Sequence, residues 1–239
     1  MKACMTCHEK PIKSGTFKAE LQHFADKRLP VNNKKYYNKD ANKIKIFGLE
    51  PNKTIFYFAT NERDFTKTIE PRIKAYGNLE NSGVTHLDEK GDCYIYLHCP
   101  QLYINSDNKV YSRHFHYLYW DDKKSDWNKS LFTQQIICNT DNDFLLKYMK
   151  KSIVIDARLL KEYKENHIEN AISMPYNKKW TTTKVFDEFK KIFNNSKLVN
   201  NKLVPIIIYC NGTIDEGIKL YKKLNKLGFY NTFHIELNL

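Results

Sequence analysis

An α+β chain in two parts is what the sequence predicts: a β-sandwich over residues 1–138, then an α/β unit with a parallel sheet over residues 139–239. Three observations predict it. Short strand patterns separated by turn residues crowd residues 43–138, with no convincing helix pattern among them. Past Asn139 strand and helix patterns alternate, as they do where helices cover a parallel sheet. Finally, Ile206-Ile207-Ile208-Tyr209 reads as a strand buried on both faces, followed by a segment apolar at helical spacing and closed by Gly228.

Taken in order, residues 1–40 are polar with few periodic signals. Cys4-x-x-Cys7-His8 has the outline of a haem-attachment motif or half a zinc knuckle. Only His8 and His23 stand near enough to extend it, so a frayed terminus with two reduced thiols is the simpler reading. Thr54-Ile55-Phe56-Tyr57-Phe58-Ala59 is an apolar strand, Cys93-Tyr94-Ile95-Tyr96-Leu97 alternates, and residues 112–120 and 131–138 follow. Asp88-Glu89-Lys90-Gly91 and Asn105-Ser106-Asp107-Asn108 supply turns. In the second part, Ser152-Ile153-Val154-Ile155-Asp156-Ala157-Arg158 is a buried strand ending in an acid and a base two residues apart. An amphipathic helix over 184–193 carries Val185, Phe186, Phe189 and Ile192 on one side. The strand ending at Cys210, a helix to Leu227 and a last strand at Thr232-Phe233-His234-Ile235 complete the order.

The net charge of +12 is spread evenly, with lysines interspersed among Asn and Ile, not gathered with Arg into a patch, so a nucleic-acid partner is not expected. No apolar run approaches the roughly 18 residues of a membrane span, and residues 1–30 lack the apolar core of a signal peptide. A cytoplasmic, reducing setting with all six cysteines unpaired is therefore expected.

His114 and His116 stand two apart in a strand and so share a face, an arrangement that can chelate iron, copper or zinc. Two histidines on a solvent face are the alternative. The run Gly91-Asp92-Cys93-Tyr94, Pro100-Gln101-Leu102-Tyr103, Arg113-His114-Phe115-His116, Thr133-Gln134 resembles the iron-site region of intradiol ring-cleavage dioxygenases. That resemblance implies a β-sandwich and ferric iron held by His114, His116 and Tyr103, with Tyr76 as the fourth ligand. It departs from the family pattern at Arg113, which here is adjacent to the first histidine.

Cys210 stands between a strand end and a helix start, where backbone N–H groups and the helix dipole favour thiolate. An inert buried cysteine is the alternative. The order Asp-x-Arg, Glu-Tyr, His-Ile, Ala-Ile, Pro, Tyr-Cys, Leu-Gly-Phe over residues 156–229 resembles a rhodanese domain. The resemblance implies that Cys210 carries sulfane sulfur as a persulfide, cradled by Asn211, Gly212, Thr213, Ile214 and Asp215, with Asp156 and Arg158 supporting the fold. A persulfide is an anion that loop N–H groups can hold without a general base. Phosphatases of the same fold place an arginine six residues beyond the cysteine, and Glu216 stands there instead, which disfavours phosphate chemistry. Acidic Asp215 and Glu216 would also repel a dianionic donor such as thiosulfate.

Three functions follow as expectations. The first is a sulfurtransferase or persulfide carrier, using a small sulfur donor and a thiol or protein acceptor and needing no cofactor. The second is a non-catalytic rhodanese-like binding module. The third is an iron-dependent, dioxygenase-like activity in the N-terminal part.

Overall fold

The chain divides into two units, Met1–Ile137 and Cys138–Leu239, each built around the most apolar strands in its sequence. The computed structural model describes residues 5–6, 12–16, 41–64, 69–177, 179–193, 202–210 and 215–236. Cys4, Cys7, His8 and His23 lie outside them.

The N-terminal unit runs β1 (Met5–Thr6), β2 (Ile12–Thr16), β3 (Asn42–Ile46), β4 (Thr54–Ala59), β5 (Glu70–Pro71), α1 (Arg72–Tyr76), β6 (Ser82–His86) and β7 (Cys93–Leu97). It continues with β8 (Tyr103–Ile104), β9 (Val110–Tyr111), β10 (His114–Asp121), β11 (Asp126–Trp127) and β12 (Ser130–Ile137). Its main sheet is antiparallel in the order β1-β12-β10-β4-β6, with β2 on β12 and β11 on β10. The aromatic and β-branched run of β4 is buried on both faces because its two sets of side chains meet different partners. On one face Phe56 and Phe58 pack with Ala75, Tyr76, Leu79, Tyr103, Leu118 and Trp127, so α1 and β8 cover that side. On the other, the Tyr57 hydroxyl accepts from Tyr96 N at 3.1 Å, joining the sheet to the β3–β7 pair. The five-residue helix α1 had no sequence signal and corrects the expectation of a unit without one.

The C-terminal unit runs β13 (Asn139–Thr140), α2 (Asn142–Tyr148), β14 (Ile153–Asp156), α3 (Leu160–Glu165), β15 (Ile172–Ser173), α4 (Thr182–Phe193), β16 (Ile206–Cys210), α5 (Asp215–Lys226) and β17 (Thr232–Glu236). The sheet is parallel throughout, in the order β13-β17-β16-β14-β15. Alternation divides β16 cleanly. Ile207 and Tyr209 join a core with Leu145, Val154, Ala171 and Ile235, whereas Ile206, Ile208 and Cys210 face the side of α4 and α5. There Phe189 meets Phe229, ring centroids 5.0 Å apart. Helix α5 ends as its sequence predicts. Gly228 adopts φ 91°, its N–H donates to Asn225 O at 2.9 Å and Phe229 N donates to Leu224 O at 3.0 Å, the paired bonds of a Schellman end.

Cys99 and Cys138 are each disulfide-bonded, whereas Cys93 and Cys210 are buried thiols. This corrects the expectation that all six cysteines are unpaired. Among the described residues no helix is long and apolar enough to cross a membrane.

Candidate functional site

Cys210 is the last residue of β16, and the parallel register decides what it meets. His234 on β17 pairs with Ile208, two residues before Cys210, and Asn139 on β13 pairs with His234. Residues paired across strands, or two apart along one, share a face, so all three polar side chains stand on the same side. Cys210 Sγ lies 3.3 Å from His234 Nε2, and His234 Nδ1 lies 3.1 Å from Asn139 Oδ1. An amide oxygen only accepts, so Nδ1 carries the imidazole proton and Nε2 turns its lone pair to the thiol. Cys210 is 2% exposed and His234 0%.

Helix α5 closes over this pair because residue 217 is glycine. A Cβ there would stand 2.7 Å from His234 Nε2, closer than real side chains pack, and 3.0 Å from Cys210 Sγ, tighter than most do. Of the predicted cradle, Asn211, Gly212, Thr213 and Ile214 lie outside the described residues, and Asp215 is the first residue of α5. Sequence reasoning named Cys210 and missed both His234 and Asn139.

Residues 141–237 match the family model of the rhodanese-like domain. The C-terminal unit is a rhodanese-like domain. Among solved structures, the chain is similar to the crystal structure of a Saccharomyces cerevisiae single-domain sulfurtransferase. Identity is 18% over 43% of this chain and 85% of that one, with a TM-score of 0.35. No curated protein matches the chain.

Behind the thiol, the rhodanese-like domain is braced by Asp156 and Arg158. Arg158 Nε donates to Asp156 Oδ1 at 3.0 Å and Nη2 to Oδ2 at 2.7 Å, with the two residues 4% and 0% exposed. The Tyr209 hydroxyl donates to the same carboxylate at 2.7 Å and accepts from Ile168 N at 3.2 Å. Burial, then the Asp156 carboxylate, pushes the Tyr209 phenol above its ordinary pKa. The network fixes β14 to β16 one residue before Cys210, on the opposite face.

A second set of polar side chains converges in the N-terminal unit. His114 and His116 share a face of β10, while Tyr76 ends α1 and Tyr103 begins β8. Tyr76 Oη lies 3.4 Å and Tyr103 Oη 3.3 Å from His114 Nε2, and the two imidazole Nε2 atoms are 3.2 Å apart. His114 Nδ1 is 2.6 Å from the Ser112 carbonyl, to which it can only donate, so its Nε2 is bare. His116 Nδ1 is 2.7 Å from Thr133 Oγ1. Burial lowers the pKa of both imidazoles, that of His116 further because His114 is beside it. Burial also raises both phenols, that of Tyr76 further through the Tyr103 hydroxyl next to it. At neutral pH the cluster therefore holds two uncharged imidazoles and two protonated phenols.

The spacing can be tested against a metal. Donors about 2.0–2.1 Å from a tetrahedral ion stand about 3.3–3.4 Å apart, and the three distances above run from 3.2 to 3.4 Å. Among the described residues no three His, Cys, Asp or Glu side chains converge. The fit rests on the two phenols joining the two imidazoles.

Proposed function

We propose that the rhodanese-like domain moves sulfane sulfur through a persulfide on Cys210. The observation that carries this is the place of the thiol: the C-terminal end of the central parallel strand, at the start of α5, inside the region that matches the family model. A helix start stabilises an anion on that sulfur, and the cradle this reading calls for is the run Asn211, Gly212, Thr213, Ile214 and Asp215. Asp156 and Arg158 hold the strand and take no part in the chemistry. The donor is a small sulfane-sulfur compound and the acceptor a thiol or protein, and transfer needs no cofactor. Intact mass after incubation with thiosulfate or a persulfide tests the reading. One added sulfur, lost in Cys210→Ser and released by cyanide, supports it. An unchanged mass with both donors turns the domain into a binding module.

A second reading belongs to the N-terminal unit, favoured by the four-donor cluster. We propose that Tyr76, Tyr103, His114 and His116 hold a metal ion in what we read as a β-sandwich, with iron expected because phenolate and imidazole donors suit it. Such an ion would supply Lewis-acid and redox chemistry. The chain's own part is clear from its protons: the bare Nε2 of His114 is ready to bind, whereas each phenol must give up a proton first. Uptake should strengthen as pH rises. Ferric loading should give one equivalent and a visible phenolate band, lost in Tyr103→Phe. No stoichiometric uptake of iron, copper or zinc would sink this reading.

A further inference from the structure

We propose that His234, positioned by Asn139, is the proton acceptor and donor for Cys210. This rests on the sulfur-transfer reading above, and it departs from the expectation that the cradle acts without a base. The order Cys210 Sγ, His234 Nε2, His234 Nδ1, Asn139 Oδ1 is that of a nucleophile, a base and a group that orients the base. Each link has one chemical sense. The Asn139 oxygen accepts from Nδ1–H, and Nε2 is therefore left to accept from the thiol. Three further features hold the geometry. His234 is fully buried in the middle of β17, its backbone N–H donates to Cys138 O at 3.1 Å, and Gly217 lets α5 lie against both reacting atoms.

With a hydropersulfide donor the step is Cys210–SH plus R–S–SH giving Cys210–S–SH plus R–SH. His234 Nε2 takes the thiol proton as the sulfur attacks the terminal sulfur of the donor. The donor S–S bond breaks, a new S–S bond forms on Cys210, and the leaving thiolate takes the proton back from His234. No net oxidation occurs. A thiolate leaving group with an ordinary pKa of about 8.5 benefits from that proton. Sulfite leaving from thiosulfate does not need it. The line thus favours hydropersulfide donors over thiosulfate, in the same direction as the carboxylates of Asp215 and Glu216.

The test separates the proton relay from sulfur transfer. Methyl methanethiosulfonate is small and uncharged, and its leaving group needs no proton, so its labelling rate at Cys210 reads the base alone. Site-resolved mass against pH, with Cys210→Ser as background, should show His234→Gln labelled tenfold or more slowly at neutral pH, its acid limb moved upward. Asn139→Leu should show the same shift and Asn139→Asp should retain the fast rate, which guards against a His234 variant that does not fold. With glutathione hydropersulfide and thiosulfate as donors, the ratio of kcat/KM should fall tenfold or more in His234→Gln. A labelling profile unchanged in both His234→Gln and Asn139→Leu overturns the relay, whatever the sulfur assays give. A shifted profile with no sulfur ever gained by Cys210 keeps the relay and overturns the persulfide reading instead.

Discussion

In the N-terminal unit the polar side chains of the buried cluster meet at a point; in the rhodanese-like domain they stand in a line. Tyr76, Tyr103 and His116 all turn their polar atoms toward the vicinity of His114 Nε2, 3.2–3.4 Å away. Cys210, His234 and Asn139 instead cross three neighbouring strands in series, each atom touching the next. The difference lies in what each arrangement can serve. Four donor atoms that converge can hold a cation once the two phenols have given up their protons. Alternating donors and acceptors fix where a proton sits and where it can move. Topology supplies each pattern. Helix α1 and strand β8 fold over one face of an antiparallel sheet, whereas a parallel sheet lays side chains of successive strands side by side.

The largest expected effect breaks the two sites apart. Cys210→Ser should abolish sulfur loading while leaving metal uptake by the N-terminal cluster unchanged, and His116→Ala should do the reverse. Mass spectrometry and metal analysis on the same preparations decide it, and loss of both properties in either variant would end the separation drawn here. Next comes the brace behind the thiol. Asp156→Ala leaves the buried Arg158 guanidinium without its carboxylate and the Tyr209 hydroxyl without its acceptor, and should destabilise the rhodanese-like domain by about 3–5 kcal/mol. Urea unfolding measures this, and a cost below about 1 kcal/mol would mean that water satisfies the arginine.

A smaller effect sharpens the convergent site. Thr133 touches His116 Nδ1 and no proposed metal atom, so Thr133→Val should weaken metal binding by about 10–100-fold without abolishing it. Competition with a chelator reads the change. The smallest concerns the surface of α4, where Glu188 lies 2.7 Å from Lys184 Nζ and 3.1 Å from Lys191 Nζ. Hydrogen bonds from Lys184, then Lys191, hold its carboxyl below the ordinary value. A depressed acid stabilises the fold above its unfolded pKa of about 4.3 and loses that contribution as pH falls through the folded value. The stability difference between wild type and Glu188→Gln should therefore be small and flat above about pH 5, and shrink below it.

The sequence by itself determined the local features. Period-two alternation put His114 and His116 on one face, the apolar run of β16 ended on Cys210, and Gly228 closed α5 where it was expected. These depend on backbone geometry over a few residues, which composition and spacing reveal directly. Tertiary structure alone decided the partners. Tyr76 and Tyr103 entered the sequence reading only through a family resemblance, because a five-residue helix and a two-residue strand carry no periodic signal. His234 looked like one more position in a final strand. It became the neighbour of Cys210, 24 residues away, and of Asn139, 95 residues away, once the sheet order β13-β17-β16 was set. The bonded state of Cys99 and Cys138 was equally invisible, since spacing along a chain says nothing about which sulfurs meet. The physical reason is common to all of these. Strand and helix follow from interactions within a few residues, whereas register, sheet order and the closeness of α5 at Gly217 follow from burying whole faces together, which no short stretch of sequence encodes.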